Sequence, residues 1–257
     1  MRAIGWPSRE TMRNIKLIIE YDGTAYNGWQ RQANAVTIQQ VMEDSLSRIV
    51  NEKVILIASS RTDTGVHAAN QVANFRTSSK LPLWNLHQGI NSLLPEDIVV
   101  KDVSDVPWEF HSQYHAASKV YHYRILNGPV RTALGRNSCW WVHQPLDLEA
   151  MRKAAREILG AHDFNSFCAA QCDVEDRVRD VLQAEVEQES MGMILFRIEA
   201  DGFLRHMVRN LAGTLVDIGK GRIHAEDMAR IIEARDRRSA GPAAPPRGLC
   251  LMEVKYK

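Results

Sequence analysis

One apolar run in this chain breaks abruptly into a polar turn, and this stretch limits the possible folds more than any other. Residues 54–58 read Val-Ile-Leu-Ile-Ala and pass into Ser-Ser-Arg-Thr-Asp-Thr-Gly-Val-His at 59–67. An apolar, β-branched run that ends in turn formers predicts a buried strand that delivers a loop to the edge of a sheet. Gly65 permits the positive φ of a tight exit, and an Asp side chain can bond its own backbone. We therefore expect Asp63 to lie on a stiff turn.

Strand and helix patterns alternate on both sides of this turn. In the first half, strands are predicted at 15–20, 54–58, 71–76 and 98–103, and helices at 38–50 and 83–94. Thr37 and Gln40 form a capping box at the first helix. In the second half, strands are predicted at 119–126, 178–188, 193–200 and 249–256, and helices at 148–159, at 203–218 and around 228–232. Residues 239–248 are predicted to be a linker, and residues 190–192 a hairpin turn.

The element order predicts an α+β fold with two similar halves, residues 12–110 and 111–257. Each half is expected to be an antiparallel sheet with helices on one face, and the free faces are expected to form a concave cleft that can hold RNA. Residues 1–11 match no element and are expected to be an upstream extension that is disordered or foreign to the native protein.

Charge is balanced overall but unevenly distributed. The chain has 32 basic and 31 acidic residues, yet residues 110–146 contain no acid. Lys119, Arg124, Arg131 and Arg136 lie in this segment, together with four histidines. A basic segment in a nearly neutral protein suggests a surface for phosphates, and an ordinary solvated face remains the alternative. No membrane-length apolar run or signal peptide is evident, so a cytoplasmic location is expected.

The four cysteines do not have the spacing of a metal site. Cys168, Cys172 and His162 could form half of a zinc site, but four ligands at zinc spacing are missing. We therefore expect reduced, structural cysteines and no bound metal.

Asp63 by itself is compatible with several functions. An Asp beside a Gly is common in an ordinary Asx-turn. Asp63, Thr64 and Gly65 also spell the DTG of aspartic proteases, but such a site needs two carboxylates sharing a proton, and only one DTG is present. The cationic Arg61 would keep the acid ionised, which does not suit a dyad. An RNA-binding module without catalysis is a further alternative.

Four separated motifs resemble the TruA-type tRNA pseudouridine synthases. They are the turn RTDTGVHA at 61–68, KVYHY at 119–123, FLRHMVRN at 203–210 and GLCL at 248–251. Ser60 replaces the glycine that precedes the family's first motif, and strain of about 1 kcal/mol is expected there if the site requires positive φ. The resemblance spans roughly residues 12–257.

The resemblance implies both an activity and roles for individual residues. It implies isomerisation of uridine to pseudouridine at positions 38, 39 and 40 of the tRNA anticodon stem-loop, without cofactor or metal, by a homodimer. Asp63 would be the catalytic carboxylate and Arg209 its cationic partner. The substrate-binding residues would be Tyr121, which stacks on the base, Arg61, which fills the space of the flipped nucleotide, and Leu249, which packs near the base.

Three further basic residues are expected to bind RNA. Lys119 and Arg124 belong to the acid-free segment, and Arg205 is expected to share a helix face with Arg209 at a spacing of four residues. His67 could be a general base by type, but the family does not use it so, and we expect it to be structural.

Overall fold

The computed structural model describes residues 12–169, 174–189 and 192–257. These residues form two compact units, the first comprising the chain up to Ala116 with Tyr256–Lys257 and the second comprising Ala117–Lys255. The expected extension at 1–11 lies outside the described residues, as do Cys172 and residues 190–191 of the predicted hairpin turn.

The first unit is a small antiparallel sheet with two helices. Its elements are β1 (Arg13–Tyr21), α1 (Ile38–Val50), β2 (Ile57–Ala58), β3 (His67–Thr77), α2 (Leu83–Leu93) and β4 (Ile98–Val106). Strand β1 pairs with both β3 and β4, and β2 pairs with β3. Ile15, Leu17 and Ile19 are fully buried, and α2 packs against β4 and α1. Thr37 caps α1 as predicted, because the Gln40 amide donates to its Oγ1 at 3.4 Å.

The strand predicted at 54–58 is shorter than expected. Val54 and Leu56 are buried, but only Ile57–Ala58 pair as β2. The Val54 amide donates instead to the Ser47 hydroxyl at 3.0 Å, and the Leu56 amide donates to the buried Glu43 carboxylate at 2.9 Å. These side chains of α1 accept hydrogen bonds from backbone amides that would otherwise donate to a neighbouring strand.

The second unit contains a larger sheet and three helices. Its elements are β5 (Ala116–Asn127, of which Ala116 belongs to the first unit), β6 (Trp140–Val142), α3 (Leu148–Arg156), β7 (Gly160–Asp163), β8 (Val178–Gln188), β9 (Met193–Ala200), α4 (Met207–Gly219), α5 (Asp227–Ala234) and β10 (Leu249–Tyr256, of which Tyr256 belongs to the first unit). The sheet order is β10-β5-β9-β8-β7. Strand β5 pairs with β9, β9 with β8 and β8 with β7, and each of these pairs is antiparallel. Helix α3 packs on β8 and α4.

The α+β class is confirmed, but the sheet of the second unit is mixed rather than antiparallel. Strand β6 runs parallel to β5, with Ile125 opposite Trp140. The connection at 128–139 doubles back, so that β6 begins level with Ile125 and continues in the same direction. The second unit also contains β6, β7 and α5 beyond the strand-helix-strand-strand-helix-strand order of the first unit.

The helix predicted from Phe203 begins later, at Met207. His206 precedes it with φ of +65°, a left-handed conformation that a helix interior does not accommodate. Arg205 therefore lies in the preceding loop, exposed, with its carbonyl accepting from the Ala169 amide at 3.0 Å. The expectation that Arg205 and Arg209 share a helix face is wrong.

Candidate active site

The turn that carries Asp63 is held by backbone hydrogen bonds within the first unit. Gly65 has φ of +76°, as its position predicted. The Val66 amide donates to the Asp63 carbonyl at 3.1 Å and closes the turn. The Gly65 amide donates to the Tyr26 carbonyl at 3.3 Å, and the Trp29 amide to the Thr62 carbonyl at 3.0 Å. Asp63 is half-buried, so a rigid backbone presents a carboxylate with access to solvent.

A second loop, residues 22–29, packs directly against this turn. Gly28 has φ of +81°, and a Cβ there would lie 2.5 Å from the Thr62 carbonyl oxygen. A Cβ on Gly23 would lie 2.0 Å from the Val66 carbonyl oxygen. Only glycine allows two backbones to approach this closely. The glycines on either side of Tyr26 are a signal of close contact that is visible in the sequence, but they do not identify which backbone they touch.

A buried glutamine supports the start of the turn. Gln71 is fully buried on β3. Its Oε1 accepts from the Ser59 hydroxyl at 2.7 Å, and its Nε2 donates to the Ser60 carbonyl at 2.7 Å. Thr62, the residue before Asp63, shares a buried hydrogen bond of 2.8 Å with the Tyr21 hydroxyl. Neither support was predicted from the sequence, although a Gln within a run of buried strand residues is a signal for such a hydrogen bond.

His67 lies at the exit of the turn and has structural partners. Its Nδ1 accepts from the Gly23 amide at 3.1 Å and lies 3.1 Å from the Asp22 carboxylate. Burial alone would raise the pKa of Asp22, but hydrogen bonds from Thr24 and the nearby His67 outweigh it and hold that pKa below its ordinary value. These contacts fix the β3 end of the turn.

The other residues of the motif cause no backbone strain. Ser60 is not among the residues with positive φ, so the expected strain at this replaced glycine is absent. Arg61 is exposed, and it is the one predicted substrate-binding residue in the same unit as Asp63.

Tyr121 lies in the second unit on β5, opposite Ile198 of β9. It is 5 % exposed, and its ring meets Phe203 edge to face with 5.0 Å between centroids. Phe203 thus holds the tyrosine ring at a fixed angle. Leu249, the first residue of β10, is also buried, at 6 % exposed.

Arg209 lies in the first turn of α4 and is tied to the linker that precedes β10. Its Nε donates to the Ala244 carbonyl at 2.9 Å, and the Ala244 amide donates to the Arg209 carbonyl at 3.0 Å. Gly213, one turn later, would place a Cβ 1.7 Å from the Pro242 carbonyl oxygen. The close contact between linker and helix therefore fixes the backbone and Nε of Arg209.

The predicted RNA-binding residues of β5 are on opposite faces of the strand. Side chains alternate along a strand, so Lys119 and Tyr121 share one face and Arg124 points to the other. The pKa of Lys119 is lowered by burial and by the charge of Arg179, against the opposing charge of Asp201. Arg124 has Glu189 at 3.9 Å. These two cations do not share one surface of the sheet.

The structure thus distributes the predicted residues between the units. Asp63 and Arg61 belong to the first unit, whereas Tyr121, Arg209, Leu249, Lys119, Arg124 and Arg205 belong to the second. The pairing of Asp63 with Arg209 stays a prediction.

The oxidation state of one cysteine differs from the expectation. Cys168 is disulfide-bonded, whereas Cys139 and Cys250 form no disulfide within the described part of the chain. The expectation of reduced cysteines is wrong for Cys168, because spacing in the sequence carries no information about oxidation.

Across residues 12–169, 174–189 and 192–257, no group of three or more His, Cys, Asp or Glu side chains could hold a metal ion. No helix in this part of the chain is long and apolar enough to cross a membrane.

Comparison with known proteins identifies a family model and relatives that carry the same description. A family model described as tRNA pseudouridine synthase matches residues 17–115 and 154–257. The chain is 44 % identical over 245 residues to tRNA pseudouridine synthase A of Thermoanaerobacter sp. (strain X514), covering 95 % of this chain and 100 % of the relative. It is 45 % identical over 246 residues to tRNA pseudouridine synthase A of Myxococcus xanthus, covering 96 % and 93 %.

Among solved structures, the chain is similar to one from a crystal structure of the archaeal box H/ACA sRNP Nop10-Cbf5 complex. The identity is 13 % and the TM-score 0.34, over 88 % of this chain and 59 % of that one. So weak a likeness supports no conclusion about the present chain. The family model and the full-length relatives do, and they confirm the resemblance to this family: the chain belongs to the tRNA pseudouridine synthase family, whose members are isomerases that convert uridine in tRNA to pseudouridine.

Proposed function

We propose that this chain isomerises uridine to pseudouridine at positions 38, 39 and 40 of the tRNA anticodon stem-loop, with Asp63 as the catalytic carboxylate and without a cofactor. The observation that carries the proposal is the Asp63 turn. Its backbone is bonded to the 22–29 loop at Tyr26 and Trp29, while the carboxylate remains half-exposed. A fixed carboxylate that a substrate can reach is what catalysis at one ribose carbon requires.

The reaction conserves all atoms of the nucleotide, which leaves two roles open for Asp63. As a nucleophile, the carboxylate attacks C1′ while the C1′–N1 bond breaks and its electron pair leaves with uracil. As a base, it removes a ribose proton and gives a glycal. In both routes the freed uracil turns so that C5 faces C1′. In the first route C5 bonds to C1′ and displaces the carboxylate, which breaks its bond to C1′. In the second route C5 bonds to C1′ of the glycal and the carboxyl group returns the proton to the ribose. In both routes the C5 proton is then lost and N1 gains a proton. Both routes require an ionised carboxylate.

The two arginines are proposed to act on charge and on nucleotide position. Arg209 is proposed to pair with Asp63 and oppose its protonation. Its Nε is held by the Ala244 carbonyl, so the guanidinium has little freedom at one edge. Arg61 is proposed to occupy the space of the flipped uridine and to contact phosphate. Its exposure two residues before Asp63 supports that role.

Tyr121 is proposed to stack on the target base, with Leu249 packing nearby. A stacked ring holds uracil by its face and still allows it to turn, whereas several directional hydrogen bonds would hinder rotation. The edge-to-face contact with Phe203 supports this role, because it fixes the plane of the Tyr121 ring.

Lys119, Arg124 and Arg205 are proposed to bind the RNA backbone. Burial, followed by the charge of Arg179, lowers the pKa of Lys119, and a phosphate bound there would relieve the repulsion between the two cations. Replacing Lys119 with Gln should weaken tRNA binding and reduce the salt slope of log K by roughly 0.7–0.9. Filter binding between about 50 and 200 mM salt measures the slope, and an unchanged slope removes Lys119 from the RNA contact.

The decisive test is Asp63→Asn, which keeps the shape of the side chain and removes its charge. We expect no pseudouridine formation, measured as tritium release from tRNA labelled at C5 of uridine, and tRNA binding close to wild type. Asp102→Asn, at an exposed position of β4, is the matched control and should retain activity. Full activity of the Asp63 variant would disprove its catalytic role. Inactivity of the wild-type protein with intact binding would favour the non-catalytic RNA-binding module.

A homodimer and a cytoplasmic location are further proposals, and both rest on the tRNA substrate. Light scattering of the purified protein tests the dimer, since a monomer mass at micromolar concentration would reject it. Cell fractionation tests the location.

A further inference from the structure

The segment that leads into β5 carries an exposed aromatic ring on a rigid turn of the first unit. Tyr114 is 77 % exposed. One face of its ring stacks on His111, with 4.2 Å between centroids and 26° between planes. A large ring that is both stacked on one side and open to solvent on the other is an unusual surface feature, because exposed aromatic side chains are ordinarily free to move.

The ring beneath Tyr114 is itself fixed. The Gln113 and Tyr114 amides both donate to His111 Nδ1 at 3.2 Å. Burial, followed by the charges of His115 and Arg76, lowers the pKa of His111, so the imidazole stays neutral and continues to accept at Nδ1. The ring that supports Tyr114 therefore has a defined plane at neutral pH.

The turn is attached to the sheet at several points. The Ser112 amide donates to the Asn74 side chain at 2.9 Å, and the Ser112 hydroxyl donates to the Ile57 carbonyl at 2.5 Å. The Ser112 carbonyl accepts from the Tyr256 hydroxyl at 2.8 Å. These bonds make the exposed ring a preorganised contact, which reduces the entropy that a ligand would lose on binding it.

Cationic and aromatic groups surround the turn. The Arg76 guanidinium lies 4.0 Å from the centre of the Trp108 ring, and Arg76 forms no ion pair with a carboxylate among the described residues. Phe110 packs edge to face on His115. Glu109 is the one acid in residues 107–115. An open aromatic face beside an uncompensated cation has the chemistry that binds a nucleobase and its phosphate.

This surface is remote from the Asp63 turn. Strand β3 begins near that turn at His67 and reaches Asn74, whose side chain accepts from the Ser112 amide, seven residues later, which at 3.3 Å per residue is about 23 Å. A uridine at Asp63 cannot also contact Tyr114, so a ligand at Tyr114 must be another nucleotide.

We propose that the turn formed by His111 and Tyr114, with Arg76 beside it, is a second RNA contact that stacks an unpaired base of the tRNA away from the modified uridine. The inference rests on the proposed function, since it takes tRNA as the ligand. Tyr114 supplies the stacking face, His111 holds that face in position, and Arg76 attracts the adjoining phosphate.

Replacement of Tyr114 tests the contact on the full chain with full-length tRNA. Tyr114→Ala should raise the Kd for tRNA by roughly 5- to 150-fold, raise KM similarly, and leave kcat unchanged. Tyr114→Trp should restore binding, because any aromatic face can stack. Trp84→Ala is the matched control: Trp84 is 69 % exposed in the same unit and has no aromatic or cationic partner within the described chain, so its loss should leave Kd unchanged.

Two outcomes would overturn the inference. One is wild-type affinity in Tyr114→Ala together with normal pseudouridine formation, which would leave the proposed function intact and indicate a different partner for this surface. The other is an equal loss in Tyr114→Ala and Tyr114→Trp, which would show that the ring does not act by stacking. Failure of the proposed function would appear instead as an inactive wild-type protein.

Discussion

Single residues fix the Asp63 turn through bonds to its backbone. Gln71 holds the carbonyl of Ser60, Tyr21 holds the hydroxyl of Thr62, and Gly23 reaches the ring of His67. Each of these groups is buried, where a lost partner costs about 1–3 kcal/mol. The position of the turn is therefore determined by several independent bonds.

The buried carboxylate of Glu199 in the second unit predicts that the unfolding free energy depends on pH. Burial would raise the pKa of Glu199, but hydrogen bonds from Lys255 and Ser118 outweigh burial and lower it below 4.5. A lowered folded-state pKa contributes stability that is present above the unfolded value and is lost as pH falls through the folded value. Glu199→Gln should therefore reduce the unfolding free energy at pH 7 by about 1–3 kcal/mol, with a difference from wild type that shrinks in acid below pH 4.5.

Urea unfolding at neutral and acid pH measures this difference. Glu187→Gln, at an exposed position of the neighbouring strand β8, is the control and should show neither effect. A Glu199→Gln difference that stays constant across the acid range would contradict the lowered pKa as its source.

At the scale of elements, close backbone approach positions the site more than regular secondary structure does. The 22–29 loop touches the Asp63 turn through Gly23 and Gly28, and the linker before β10 touches α4 through Gly213. In both places the backbone of a loop packs directly on another backbone segment. The loop is therefore held in position without forming a strand or helix.

Gly28→Ala should damage both stability and catalysis. Its φ of +81° is strained for any residue with a Cβ, and the added atom would lie 2.5 Å from the Thr62 carbonyl oxygen. Gly221→Ala is the matched control, because Gly221 has φ of +70° but nothing within 4 Å. We expect a cost of about 1–2 kcal/mol from φ in both variants, with a further loss of stability and of kcat in Gly28→Ala alone.

Thermal unfolding and tritium release from labelled tRNA compare the two variants. Equal loss of stability with normal kcat in both would mean that the loop contact does not position Asp63.

At the scale of the whole molecule, the last residues of the chain complete the first unit. Tyr256 belongs to that unit although the rest of β10 belongs to the second. Its hydroxyl donates to the Ser112 carbonyl, and its ring packs on Phe110 with 5.2 Å between centroids. Residues more than a hundred positions apart thus share one half-buried cluster, and that cluster of the first unit is complete only when Tyr256 is in place.

Removal of the Tyr256 ring should therefore act on the first unit selectively. Tyr256→Ala should lower the local stability of β1 and β3 by about 1–3 kcal/mol, less than a fully buried aromatic would cost, while Tyr256→Phe should cost about 1 kcal/mol. Hydrogen exchange read by mass spectrometry should show faster exchange in β1 and β3 and unchanged exchange in β9. Equal acceleration in both units would show that the chain end stabilises the molecule as a whole.

The sequence by itself determined the α+β class, most of the elements and the family. Local signals were sufficient for these: Thr37 caps α1, Gly65 adopts positive φ, and the 178–188 and 193–200 patterns form an antiparallel pair. Each depends on neighbours in the chain, so periodicity and turn chemistry identify it. The RTDTGVHA motif was similarly readable because its residues are contiguous.

Only the tertiary structure decided what supports those elements. It shortened the strand at 54–58 by giving its amides to side chains of α1. It began α4 at Met207 by placing His206 in a left-handed conformation, and it joined Gly28 to Thr62 and Gln71 to Ser59. These contacts join segments that are distant along the chain. Their energies depend on which backbone groups meet in three dimensions, and no local pattern of residues encodes that.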